Sequence, residues 1–208
     1  MFGELLARVG ACLLRNNVPY MIMGGQAMLL YGVQRPVFDI DVMLGIDARC
    51  LNLLLFIAND LKLRIIPEDP KAFVKQTMVL PAIEESTCIR VDFIVCSTSY
   101  EKEAIARAVR IRINDQIVRF STAEDLIIHK VIAGNASDLE DVKAIISKQK
   151  ELKIELIRKT LREFDSRLPG NMFAASFEGA LQKSAGHSAP EKQSGSWPSP
   201  PGAAFTDL

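Results

Sequence analysis

The chain has 208 residues, 49% hydrophobic and 24% charged, which is enough apolar content for one ordinary domain with a buried core plus an appendage. Its 25 basic and 25 acidic residues cancel, excluding a polycation built to coat nucleic acid along its whole length. Cys12, Cys50, Cys88 and Cys96 form no C-x-x-C pair and no cluster with histidine, so neither a zinc site nor a disulfide framework is expected. They read as free thiols of a reducing cytoplasm.

In chain order, residues 2–16 carry Leu5, Leu6, Val9 and Leu13 at helical spacing, stopping near Asn16, Asn17 and Pro19. This opening lacks the basic start and unbroken apolar run of a secretory leader. Tyr20 to Met23 reads as a buried strand ending at Gly24 and Gly25, and Gln26 to Tyr31 as a short helix closed by Gly32. The uncharged stretch Val18 to Gln34 falls short of the ~20 apolar residues of a bilayer span, so no membrane partner is expected. Phe38 to Leu44 alternates Asp39, Asp41 and Met43 against Ile40, Val42 and Leu44, a strand with two unlike faces.

Asp47 is placed to cap a helix from Ala48 to Asp60 with Leu51, Leu54, Leu55 and Ala58 inward, and Leu63 to Ile66 is a further short strand. Residues 70–85 suggest a helix and then a loop around Pro81. Cys88 to Cys96 alternates again, with Val91, Phe93 and Val95 opposite Arg90, Asp92 and Ile94. A helix is expected at 101–108, a hairpin of 109–113 and 117–120 around Asn114, and helices at 123–133, 139–148 and 153–167. From 169 onward Pro, Gly, Ser and Ala dominate, which predicts an unfolded tail in which Met172 to Leu181 forms an amphipathic patch able to dock. The organisation expected is a core of 1–120, a helical region of 121–168 and a tail of 169–208.

The chemistry concentrates in three carboxylates. Asp39 and Asp41, two apart on a strand, point to the same side, and their like charges repel. A divalent cation with a preference for oxygen, magnesium or manganese, resolves the conflict. A solvated strand edge would also tolerate two aspartates, although Asp is disfavoured in strands. Asp92 lies on a second apolar strand, and three carboxylates on two strands suffice to hold two ions ~3.5–4 Å apart. Asp92 can alternatively accept the proton of an attacking hydroxyl, or simply pair with Arg90 or Arg110. Gly24 and Gly25, between a strand and a helix, let the backbone approach phosphate oxygens, although most Gly-Gly pairs are only turns.

The run GGQAMLLYGVQRPVFDIDVML, Gly24 to Leu44, resembles the opening motif of the nucleotidyltransferase superfamily, the fold typified by DNA polymerase beta. Its form Gly-Gly-x-Ala, Tyr-Gly, Arg, Asp-Ile-Asp is similar to the toxin-type, AbiEii-like minimal branch. Arg90-Val91-Asp92 matches the third carboxylate, and Thr122 to Lys130 with Ser137 to Asp141 resembles the branch's lysine helix and Asp-Leu-x-Asp motif. The resemblance implies an α+β fold, a mixed β-sheet flanked by helices and followed by a small helical region. It implies Asp39, Asp41 and Asp92 as metal ligands, and Gly24, Gly25 and Lys130 as phosphate contacts. Asp138 or Asp141 is a supporting acid, and Arg35 a partner of the acidic strand or of the phosphates. Where the branch often carries Thr two residues after the arginine, this chain has Val37. Independently of the resemblance, Ser137-x-x-Glu140 reads equally well as a capping box. His129 and His187 suggest no role.

The activity implied is magnesium- or manganese-dependent transfer of a nucleoside monophosphate from a nucleoside triphosphate to a hydroxyl, at the 3′ end of tRNA or another RNA or on a protein side chain. A toxin–antitoxin pairing would add a cognate antitoxin as partner. The alternative, to which Val37 points, is a catalytically impaired nucleotide-binding regulatory module. A metal-dependent phosphohydrolase shares the carboxylates but accounts less well for the Gly-Gly opening.

Overall fold

Among the described residues seven strands form one mixed sheet in which the two faces have opposite fates. The computed structural model describes residues 2–96, 98–168, 170 and 172–185. The strands are β1 (Tyr20–Met23), β2 (Asp39–Leu44), β3 (Arg64–Ile65), β4 (Val79–Glu84), β5 (Ile89–Val95), β6 (Val109–Ile113) and β7 (Gln116–Phe120). Their order is β3-β4-β5-β2-β1-β7-β6; β2 lies parallel to β5 and β1 parallel to β7, and the other pairs are antiparallel.

Alternation along each strand sorts the side chains. Ile22, Ile40, Val42, Leu80, Ala82, Val91 and Phe93 point to one face and join the main core. That core also takes Leu5, Leu6, Val9 and Leu13 from α1 (Phe2–Arg15) and Leu54, Ile57 and Ala58 from α3 (Leu51–Asp60). The opposite face carries Met21, Met43 and Ile94 toward one end, where α5 (Ser99–Ala106) covers them with Ala104 and Ile105. Toward its other end the same face carries Asp39, Asp41, Arg90 and Asp92. A capping box at Thr98 and Glu101 starts α5 and fixes where this cover begins.

The remaining α-helices of the described residues are α2 (Gly24–Leu30), α4 (Pro70–Thr77), α6 (Ala123–Ala133), α7 (Ala136–Lys148), α8 (Ile154–Arg167) and α9 (Phe173–Ala185). Leu126, Ile127, Val142, Ile157, Leu161 and Phe177 of the last four belong to the same hydrophobic cluster as the sheet. The helical region is therefore continuous with the core. Tyr31 Oη donates to the Ser121 carbonyl at 2.6 Å and Gln149 Nε2 to the Tyr31 carbonyl at 2.9 Å, tying the segment after α2 to the C-terminal helices.

Several expectations are corrected. Pro81 does not sit in a loop: β4 runs straight through it. Its carbonyl accepts from Ile66 N at 3.0 Å, so the missing N–H faces the end of the two-residue β3 and costs the β5 ladder nothing. α2 begins at Gly24 itself, and α7 begins at Ala136, because Gly134, at φ +69, reverses the chain directly after α6. Ser137 thus lies inside α7 and forms no capping box; Asn135 takes the cap position without a side-chain cap bond.

The expected unfolded stretch is replaced at 173–185 by a docked helix. Asp165 of α8 accepts the Phe173 and Ala174 N–H groups at 2.8 and 3.0 Å, satisfying otherwise orphan donors. Arg158 holds Glu178 through two hydrogen bonds of 2.6 and 3.0 Å, and Phe177 is completely buried. The earlier pattern at Met172 to Leu181 marks this helix; the rest of the expected tail, from 186, and His187 lie outside the described residues. Among the described residues no helix is long and apolar enough to cross a membrane.

Candidate active site

The register of the sheet brings the three predicted aspartates together. Asp41 on β2 pairs with Asp92 on β5, and Asp39 lies on the same face two residues earlier. One carboxylate oxygen from each residue lies within 4.8 Å of the other two. Among the described residues no hydrogen bond reaches the Asp41 carboxylate. Burial, then the charges of Asp39 and Asp92, push its pKa up from 3.8 to about 6, against the opposing pull of Lys130 and Arg90.

Asp92 accepts from Arg90 Nε at 2.7 Å, so the ion pair weighed from sequence is present, and it coexists with the convergence of the three acids. Hydrogen bonding to Asp92 holds the Arg90 guanidinium above its ordinary pKa.

Gly24 stands directly against this group. It follows Met23, which pairs with Asp41 across the β1–β2 ladder, and it turns into α2 with φ +63. A Cβ at Gly24 would lie 1.8 Å from Asp41 Oδ2, so only glycine fits both the backbone and the carboxylate. No side chain caps the start of α2. A Cβ at Gly25 would meet Val37 Cγ1 at 2.7 Å, so Val37 packs over that glycine. Gln26, which sequence reasoning passed over, is buried and reaches the Asp39 carbonyl at 3.4 Å, fixing α2 to β2. A polar residue on the inward side of an apolar helix was the available signal.

Lys130, Arg35, Asp138 and Asp141 form a second cluster. The buried Lys130 Nζ donates to Asp141 Oδ2 at 2.6 Å and Asp138 Oδ1 at 3.0 Å, while Arg35 Nη1 reaches the same Asp141 oxygen at 3.0 Å. Arg35 therefore pairs with Asp141 and not with the acidic strand. The lysine's charge nonetheless acts on Asp41. Asp125 was also missed: fully buried on α6, it accepts from Tyr100 Oη, Thr122 Oγ1 and Arg107 Nε and Nη2 at 2.6–2.8 Å. Burial lowers the pKa of neighbouring His129, whose ring tilts against Tyr100 at 5.6 Å.

Residues 3–172 match the family described as "Nucleotidyl transferase of unknown function (DUF2204)". The chain belongs to this family. It is a nucleotidyltransferase with the α+β fold of that superfamily. An antigenic nucleotidyltransferase-like protein from Paracoccidioides brasiliensis is similar at a TM-score of 0.53 and 18% identity, over 86% of this chain and 91% of that one. The antibiotic-resistance factor ANT(2'')-Ia in solution gives 0.53 and 19% over 80% and 94%. ANT(2")-Ia in complex with adenylyl-2"-tobramycin gives 0.52 and 18% over 78% and 97%. At such identities the likeness is one of fold. No curated protein matches the chain.

Proposed function

We propose that this nucleotidyltransferase moves a nucleoside monophosphate from a nucleoside triphosphate, ATP among them, to a hydroxyl acceptor, using magnesium or manganese held by Asp39, Asp41 and Asp92. The observation that carries the reading is the convergence of three carboxylate oxygens within 4.8 Å, beside a glycine that no other residue can replace. An all-oxygen donor set with an excess of negative charge fits a hard divalent ion. When bound, such an ion neutralises charge on the phosphates and on the attacking oxygen.

The chain's own residues supply the rest. The acceptor oxygen attacks the α-phosphorus, one P–O bond forms, and the bond to pyrophosphate breaks. Asp92, at the far side of the trio from Gly24, takes the acceptor proton. Gly24 and Gly25 give the triphosphate a close backbone approach. Lys130 places a positive charge near its departing end, with Asp138, Asp141 and Arg35 fixing the ammonium in position. Catalysis on this reading is mostly positioning and charge neutralisation.

The acceptor classes carried from the family resemblance are an RNA or tRNA 3′ end and a protein side chain, with the enzyme acting as the toxin of a toxin–antitoxin pair in the cytoplasm. The relative bound to adenylyl-2"-tobramycin adds a small-molecule hydroxyl. A second reading, a nucleotide-binding regulatory module without turnover, draws on Val37, whose methyl groups cover Gly25 where the branch often places a hydroxyl.

Incubation with α-labelled nucleoside triphosphates, magnesium and a panel of acceptors tests the proposal. Transfer with release of pyrophosphate, abolished by Asp39→Ala, is the expected result. Nucleotide binding with no transfer to any acceptor would establish the module instead, and release of inorganic phosphate would establish a phosphohydrolase.

A further inference from the structure

One row of the sheet extends beyond the three aspartates. Met23, Asp41, Asp92 and Pro81 are successive partners across β1, β2, β5 and β4, and Ile66 bonds to Pro81 at its end. On the outer side of Asp92 this row opens into a cleft of about 180 Å³ lined by Ile66, Pro67, Phe73, Pro81 and Arg90. Ile66 and Phe73 are 44% and 37% exposed, so their apolar surface stands open to solvent at this cleft.

We propose that the acceptor is a small neutral or anionic molecule that carries its hydroxyl beside an apolar ring, and that this ring occupies the cleft. The inference rests on the preceding reading of the trio as the reacting centre. In an in-line displacement the attacking and leaving oxygens lie on opposite sides of the phosphorus. Gly24 stands against Asp41 and the charge of Lys130 acts on it, so on this reading they mark the leaving side and the acceptor approaches from the side of Asp92. The surface there is the cleft.

Its lining specifies the chemistry. A cavity of about 150 Å³ is enough for benzene, so the volume suits one ring or a small fused pair. Two prolines, an isoleucine and a phenylalanine offer apolar contact. The polar member is Arg90, whose Nε is committed to Asp92 while its other guanidinium nitrogens bond to no described residue. Among the described residues no carboxylate lines the cleft. A polycationic aminosugar would meet an apolar wall and a like charge, and an RNA strand would find one guanidinium where it needs a track of them.

Ligand-observed NMR on the full chain, with phenyl β-D-glucoside, methyl β-D-glucoside and tobramycin as probes, tests this. Saturation transfer should reach the phenyl ring protons and neither of the other probes. Added Mn²⁺ should accelerate relaxation of those ring protons, an effect lost in Asp39→Ala. Phe73→Ala should weaken the phenyl glucoside about tenfold, with Phe73→Leu retaining most of the affinity and both variants binding magnesium and a non-hydrolysable ATP analogue as the unmodified protein does. Absence of a ring signal, equal binding of tobramycin, or indifference to Phe73→Ala overturns the proposal. Ring binding that needs Phe73 but never senses Mn²⁺ would sink the reacting-centre reading, and the cleft's role as acceptor site with it. Mn²⁺-dependent nucleotide binding without ring binding would sink the cleft alone.

Discussion

Asp41 and Asp125 are both withdrawn from solvent, yet the protein treats them in opposite ways. Asp125 accepts from a bidentate arginine, a tyrosine and a threonine, and each of its oxygens is engaged. Asp41 receives no hydrogen bond from a described residue and faces two further carboxylates, with only the more distant charges of Lys130 and Arg90 to offset them. Where this fold needs a structural acid it surrounds it with donors; where donors are withheld, the partner we propose is a divalent ion. The Lys130 cluster stands between these extremes, two cations meeting two carboxylates, and suits a group that must be held still.

The contrast breaks first through mutation of the acids themselves. Asp41→Asn should lower transfer about a thousandfold, the scale of several kcal/mol of charge stabilisation at the reacting phosphate, while leaving the metal-free protein at least as resistant to urea. Asp125→Ala should do the reverse, costing ~3 kcal/mol of stability by stranding Arg107, read from the shift in urea midpoint. If Asp41→Asn destabilises the metal-free protein as much as Asp125→Ala does, Asp41 is a structural acid and the comparison fails.

The pH dependence follows with its sign. Asp41 titrates at about 6 folded and near 3.8 unfolded, so the folded state holds the proton more tightly between those values. Its contribution to stability is therefore lost as pH rises through that window, by at most ~3 kcal/mol, and remains lost above it. A divalent ion should restore this. The gain in melting temperature on adding Mn²⁺ should be larger at pH 8 than at pH 5, and an equal gain at both would place the ion elsewhere.

Smaller effects refine the picture. Lys130→Met should reduce kcat/KM about a hundredfold, leaving Arg35 to face Asp138 and Asp141. Val37→Thr should change the rate only a few-fold, since it exchanges one methyl for a hydroxyl over Gly25 without moving the backbone. A Val37→Thr variant that gains activity by two orders of magnitude would instead mark the natural chain as the impaired module.

The trio was legible from sequence because a strand's period of two forces Asp39 and Asp41 to one side, and Asp92 shows the same alternation. What could not be read was register. Nothing local says that Asp41 lies opposite Asp92, or that Pro81 and Ile66 continue the row. Pro81 was misread for the same reason: proline breaks a strand only where its N–H is needed, and that depends on a neighbour 15 residues earlier in the chain, Ile66. Asp125 passed unnoticed because its partners Tyr100 and Arg107 come from α5 and the residue that follows it. The helix at 173–185 was obscured by the composition around it; Phe177 has little meaning until α7 and α8 make a seat for it.

The span shared with the family stops at 172, one residue before α9 begins. A protein trimmed to that span would lose the plug that Phe177 provides and leave a greasy socket open to water, with Asp165 and Arg158 bereft of the groups they now grip. Such a fragment should be sticky and short-lived even though every side chain of the proposed site is still attached, so α9 works as the cork of this helical region.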